Sequence, residues 1–265
     1  MENRRKNRLL RVFFLLLMVV CLIPLVRAYC QSMQQKEQQE DLREMLTETS
    51  EEDLPAGELP EEDPTQKDST PTGAAVILRK YKKLYKKNKD LAGWLSIKGM
   101  KIDNPVMQCE DDEYYLHRDF YGKKSKYGCL YVKNQADLDK GTNFIIYGHN
   151  MRDGSMFGDL DLYLDKKFYQ KHPVISFDTL FEKRTYEIVA VFRSQVYRAE
   201  DEVFKYYQFY QADTKKEFNR FYKNIKKLSL YDTGVKARFG DTFLTLSTCA
   251  YHVQDGRLVV VAKRT

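Results

Sequence analysis

Hydrophobic and polar positions alternate with a period of two through Phe243–Thr248, where Leu244 and Leu246 face one way and Thr245 and Ser247 the other. This predicts a strand. A second, more continuously apolar run, Arg257–Lys263 (Arg-Leu-Val-Val-Val-Ala-Lys), predicts a largely buried strand. Seven residues, Ala250–Gly256, join them and end in the turn pair Asp255-Gly256. Shorter strands are predicted at Trp94–Ile97, Asn104–Met107, Cys129–Val132, Thr142–Tyr147, Val174–Phe177 and Thr185–Phe192. A helical period predicts a helix over Ala74–Asn88, capped by Thr72, with Ile77, Tyr81, Leu84 and Tyr85 on one face. Tyr114–His117 reads as a helical turn. Ser155 and Asp165 read as caps of two short helices, the second stopping before Pro173. Thr214–Leu228 is the clearest helix: Thr214 and Glu217 form a capping box, and Phe218, Phe221, Tyr222, Ile225 and Leu228 make one apolar face. Many short strands in one region predict a mostly β fold, a sheet closed into a barrel or sandwich with added helices.

The first 73 residues follow other patterns. Val12–Val26 carries no charge over fifteen residues and is preceded by Arg4, Arg5, Lys6, Arg8 and Arg11. With Leu9, Leu10 and snorkelling Arg11 and Arg27 it reaches a workable membrane span, with its basic end cytoplasmic and the rest of the chain outside. A cleaved signal peptide is the rival reading, but Val26-Arg27-Ala28 is a poor cleavage site and Tyr29 does not suit a lipoprotein site at Cys30. Residues 31–73 hold three Lys/Arg against thirteen Asp/Glu, and 51–73 hold four of the seven prolines. That composition predicts a disordered, acidic stalk, which as a coil from residue 31 to 73 spans on the order of 35–40 Å. The expected organisation is a basic segment and anchor at 1–30, a stalk at 31–73 and one folded domain at 74–265. That last part is basic, with a net charge of +11, and suits an anionic envelope surface as well as it suits scattered solvated lysines.

No CxxC spacing links the five cysteines, so zinc and thioredoxin-like chemistry are not indicated. Cys109 and Cys129 are expected to be free and partly buried. The short run Asp111-Asp112-Glu113 reads as a solvated turn, and no metal cluster, phosphate loop or nucleic-acid motif is visible. Cofactors are therefore expected to be none. The reactive candidate is Cys249. If the last two strands pair as a hairpin, Cys249 ends the first and Arg257 begins the second, so a thiol and a guanidinium share one mouth of the sheet. A cation favours thiolate, and a guanidinium can bind an oxyanion. An ordinary buried cysteine at a strand end is the competing reading. Lys263 is six residues from Arg257, about 20 Å along a strand and out of reach, and Arg264 points the other way. A free thiol at its reference pKa is only about 3 % thiolate at pH 7, so a base is needed. His149, His252, His172 and His117 are candidates, and residue pattern alone leaves His149 and His252 both open.

Leu246-Ser247-Thr248-Cys249, with Arg257 eight residues later, resembles the active-site signature of sortases, membrane-anchored cysteine transpeptidases of Gram-positive bacteria. Ser247, together with Tyr147-Gly148-His149-Asn150-Met151 and Asp153-Gly154-Ser155-Met156-Phe157, resembles class B in particular. The likeness covers roughly residues 74–265. It implies a closed eight-stranded β-barrel with an N-terminal helix and a long helix in the connection before the Cys-bearing strand. It implies that Cys249 is the nucleophile, that His149 is the general acid and base, active as an imidazolium–thiolate pair, and that Arg257 stabilises the oxyanion. Ser247, Thr248, Tyr206 and Tyr207 are candidate substrate contacts. The implied partners are secreted proteins bearing a C-terminal sorting motif, commonly Asn-Pro-any-Thr and cut after the threonine, and an amine from a peptidoglycan precursor or a pilin lysine. Two alternatives stand beside this. A Cys-His peptidoglycan hydrolase or amidase shares the residue types but usually places Cys before His, and a non-catalytic, membrane-tethered binding domain needs no thiol.

Overall fold

A computed structural model describes residues 2–51, 76–251 and 253–265. They fall into two compact units, divided between Glu52 and Asp53. The first is one helix, α1 (Glu2–Glu51), with Pro24 inside it. It takes in the apolar run, and among the described residues it is the one helix long and apolar enough to cross a membrane. It also takes in residues 31–51, treated above as coil. There the polar sequence, with its weak stripe of Leu42, Met45 and Leu46, continues the helix at about 1.5 Å per residue. Residues 52–73 of the predicted stalk, Thr72 among them, and residues 74 and 75 of the predicted domain lie outside the described residues.

The second unit is a closed barrel of eight strands. In chain order they are β1 (Leu91–Ser96), β2 (Asp103–Met107), β3 (Leu130–Val132), β4 (Asn143–Gly148), β5 (Val174–Thr179), β6 (Thr185–Gln195), β7 (Phe243–Cys249) and β8 (Gly256–Arg264). Around the barrel the order is β1-β2-β3-β4-β7-β8-β6-β5, with β5 returning to β1. The pairs β2–β3 and β4–β7 are parallel and the rest antiparallel. Every predicted strand is present, and most run a residue or two longer than the pattern implied.

Strand alternation sorts the side chains. Phe144, Ile146, Leu244, Leu246, Leu258, Val260 and Ala262 point inward, into the barrel core. The opposite parity, Ile145, Phe243, Val259 and Val261, faces outward under α4 (Lys215–Leu228). That helix begins with the predicted capping box and buries Phe218, Phe221 and Ile225, with Phe218 stacked on Phe243 at 5.3 Å. Leu228, assigned to the same face, is exposed at the helix end.

The helix predicted over Ala74–Asn88 is shorter. Val76–Leu78 are not helical, a 3-10 turn covers Arg79–Tyr81, and α2 is Lys82–Lys87. The Leu78 N–H donates to Leu180 O at 2.7 Å, so a contact across the fold takes the group a helix would need. Asp165 caps α3 (Lys166–Lys171) through Lys167 N as expected. Ser155 caps nothing: Gly158–Leu164 is 3-10, and the Ser155 hydroxyl binds Asp153 instead.

Candidate active site

Two strand pairings build the site. β4 and β7 are parallel, with Gly148 opposite Thr248. β7 and β8 are antiparallel, with Cys249 opposite Arg257. The exit of β4, the end of β7 and the start of β8 therefore share one rim. Parity then fixes the face: Ser247 and Cys249 share that of Phe243, and Arg257 shares that of Val259, which is the outer face. His149, one residue past the end of β4, Cys249 and Arg257 are each half-buried.

Each side chain is held locally. Gly148 hands the chain from β4 to His149 beneath Leu130 and Phe157, and a Cβ at Gly148 would lie 2.4 Å from Leu130 Cδ2. The His149 Nε2 lies 2.8 Å from Leu116 O. A carbonyl only accepts, so Nε2 carries the proton and Nδ1 is left for exchange. The loop behind is closed by Phe157 N donating to His149 O at 2.9 Å. Arg257 Nη1 donates to Gly256 O at 2.9 Å and Asp255 O at 3.1 Å, folding the guanidinium onto its own turn. Asp255 has φ 53°, a left-handed residue of the kind an Asp-Gly pair tolerates.

Tyr206 is buried and its hydroxyl shares a 2.7 Å hydrogen bond with Ser247 Oγ. Burial pushes this phenol up to about 12, partly offset by the Ser247 bond and the charge of Arg257. Tyr131 stacks on Tyr147 at 5.6 Å. Burial pushes its phenol up to about 12 as well, with Arg257 acting against the rise. Both rings thus lie within electrostatic reach of Arg257. Tyr207 sits edge-on to Tyr206, and its hydroxyl accepts from Tyr197 N at 3.0 Å. Thr248 has the opposite parity. It is buried in the barrel and donates to Gly148 O at 2.8 Å, which ties β7 to β4 rather than facing the rim.

The other histidines separate. His172 ends α3 before Pro173, at the end of the sheet away from Cys249, and its ring packs tilted against Phe168 with centroids 4.5 Å apart. His117 is exposed but its ring lies 6.2 Å from that of His149. His252 lies outside the described residues. Among the described residues no group of His, Cys, Asp and Glu could hold a metal ion. The described cysteines are all free; Cys129 is fully buried, which raises its thiol pKa, and Cys109 is half-buried. The sequence reading missed Tyr131, Asn150, the Leu116 carbonyl and the nearness of His117. Parity within β3 places Tyr131 outward, but nothing in the sequence says that β3 lies beside β4.

A closed mixed barrel with cysteine, histidine and arginine on one outer rim is the arrangement of sortases, a class of cysteine transpeptidases. The chain belongs to the sortase family: the Sortase domain model matches residues 95–265. Its relatives are of class B. It is 37 % identical over 189 residues to Sortase B of Listeria monocytogenes, covering 68 % of this chain and 72 % of that one. It is 30 % identical over 186 residues to Sortase B of Staphylococcus aureus, covering 69 % and 73 %. Among solved structures, sortase B of Bacillus anthracis in complex with AAEK1 superposes with a TM-score of 0.68 at 28 % identity, over 88 % of this chain and 98 % of that one. A sortase B complexed with triglycine gives 0.72 at 25 %, over 89 % and 99 %. The protein is accordingly a cysteine transpeptidase with a role in cell-wall anchoring, and the binding-domain and hydrolase alternatives fall away.

Proposed function

We propose that Cys249, His149 and Arg257 carry out a two-step acyl transfer on a C-terminal sorting signal. The Cys249 thiolate attacks a backbone carbonyl of an extended peptide, after the threonine of an Asn-Pro-any-Thr motif. Negative charge gathers on the oxygen, and Arg257 with nearby N–H groups stabilises it. His149 gives the proton on Nδ1 to the leaving amine, while Nε2 stays on Leu116 O. A thioester then joins the N-terminal part of the substrate to Cys249. An incoming amine attacks it, His149 takes a proton back, and the thiolate leaves. The observation that carries this reading is the register: the Gly148–Thr248 and Cys249–Arg257 rungs put the end of β4, the end of β7 and the start of β8 at one rim, which supports the three residues acting together.

The Tyr206–Ser247 bond beside the thiol gives the peptide a firm wall, and Tyr207 braces it. A structure of Staphylococcus aureus sortase B with a substrate, and one of sortase B with triglycine, support a sorting peptide and an amine as the two reactants. The amine belongs to a peptidoglycan precursor or a pilin. The apolar part of α1 anchors the chain in the cell membrane, its basic N-terminus cytoplasmic and the barrel outside.

Incubating the chain with a library of pentapeptide motifs and an amine acceptor, with products read by mass, tests this. The expected product is the peptide cut after threonine and joined to the amine. Arg257→Lys loses most of that activity, because a point charge does not replace a planar fork. Release to water alone, or near-normal thioester formation by Arg257→Lys, contradicts the reading.

A further inference from the structure

Pairing between the strands that carry the two reacting groups stops short of them. The last rung between β4 and β7 is Gly148–Thr248, and His149 and Cys249 lie one residue beyond. Cys249 is still paired to β8 through Arg257. On its other side the Cys249 carbonyl turns toward the exit of β4. There it accepts a hydrogen bond from Asn150 Nδ2 at 2.9 Å.

That nitrogen also lies 3.3 Å from Asp161 Oδ2. Both partners are acceptors only, so the amide nitrogen, not its oxygen, must face them. The backbone of Asn150 is held too, by a bridge to Met156 across the loop that Phe157 N closes onto His149 O. One residue therefore connects the main chain next to His149 with the main chain of Cys249. It does so where the sheet itself supplies no rung.

We infer that Asn150 is a positioning residue of the transfer reaction, its side-chain amide replacing the missing β4–β7 rung and holding Cys249 in register with His149. The inference rests on the reading of Cys249 and His149 as the reacting pair. Asn150 touches neither the sulfur nor the substrate in this account; it acts through the Cys249 main chain. Small misplacements of reacting groups are costly, with shifts of ~1 Å reaching 100-fold in rate.

The test measures the rate at which iodoacetamide alkylates Cys249 as a function of pH, resolved from the other cysteines by peptide mass, in the full chain in detergent. The variants are His149→Ala, Asn150→Ala, Asn150→Asp and Asp161→Ala, each with a melting curve. His149→Ala is expected to change the profile. Asn150→Ala is expected to move it in the same direction while melting within a few degrees of the parent. In the transfer assay Asn150→Ala loses about 10- to 100-fold in kcat with KM changed little. Asn150→Asp loses more, since a carboxylate then faces the Asp161 carboxylate and the Cys249 carbonyl. Asp161→Ala, which leaves the bond to Cys249 in place, stays within about threefold of the parent. If Asp161→Ala falls as far as Asn150→Ala, the residue merely tethers two loops and the inference is overturned. A profile moved by His149→Ala but not by either Asn150 variant overturns this inference alone. A profile that His149→Ala leaves unchanged overturns the pairing of Cys249 with His149 on which it rests.

Discussion

Asp153 shows how one carboxylate ties together the loop behind His149. Its Oδ1 accepts from Ser155 N at 3.1 Å and Ser155 Oγ at 2.5 Å, and its Oδ2 from Tyr127 OH at 3.3 Å. Partial burial works to raise this carboxyl, but the hydrogen bonds and the nearby Lys101 outweigh it and hold it below its ordinary 3.8. A depressed folded-state pKa contributes stability that is complete above that ordinary value and is lost as pH falls through the folded one. The loop behind His149 therefore loosens in acid. Melting curves from pH 6 to pH 3 should fall more steeply for the parent chain than for Asp153→Asn, whose curve lacks this carboxylate's contribution. Parallel curves would contradict it. The same loop bounds what the sequence made readable. Cys249 and Arg257 could be placed together because a short hairpin connects them. Asn150 could not be linked to Cys249, ninety-nine positions away, by any local pattern.

Among the elements, α4 was readable and α2 only partly. For α4 the capping box and the apolar face belong to the helix itself. Thr214 Oγ1 accepts from Glu217 N, and the Glu217 side chain accepts from Thr214 N, as the spacing implied. Thr214→Ala should cost about 1 kcal/mol. In a domain of this size that lowers the melting temperature by about 2–4 °C. Phe221→Ala, buried between α4 and the outer face of the sheet and stacked on Phe209 at 3.9 Å, should cost about 3–5 kcal/mol. Thermal or denaturant unfolding distinguishes the two. A cap variant as damaging as the core variant would mean that α4 is held by its end rather than its face. The start of α2 was misread because Leu78 gives its N–H to Leu180, far along the chain, and no helical period reports that competition. The strands were readable from alternation and apolar runs, but their order was not. The parallel β4–β7 pair requires the chain to cross over through β5, β6 and α4, and that follows from the closed barrel, not from any one stretch.

At the scale of the whole molecule, this crossover is what brings three distant stretches of chain to the proposed site. Parallel β4 and β7 send the chain out at one rim, and antiparallel β8 returns from it, so the main chain at His149, Cys249 and Arg257 shares that rim. The family resemblance in the sequence named the three residues, and the barrel order accounts for their main chains lying at one rim. The most direct measurement is the intact mass of the full chain after mixing with a sorting-motif peptide, followed by peptide mapping and then by addition of an amine. The account predicts an acyl adduct on Cys249 that the amine discharges, absent in Cys249→Ala and strongly slowed in His149→Ala. An adduct on Cys109 or Cys129, or peptide-to-amine transfer that persists in Cys249→Ala, would contradict it.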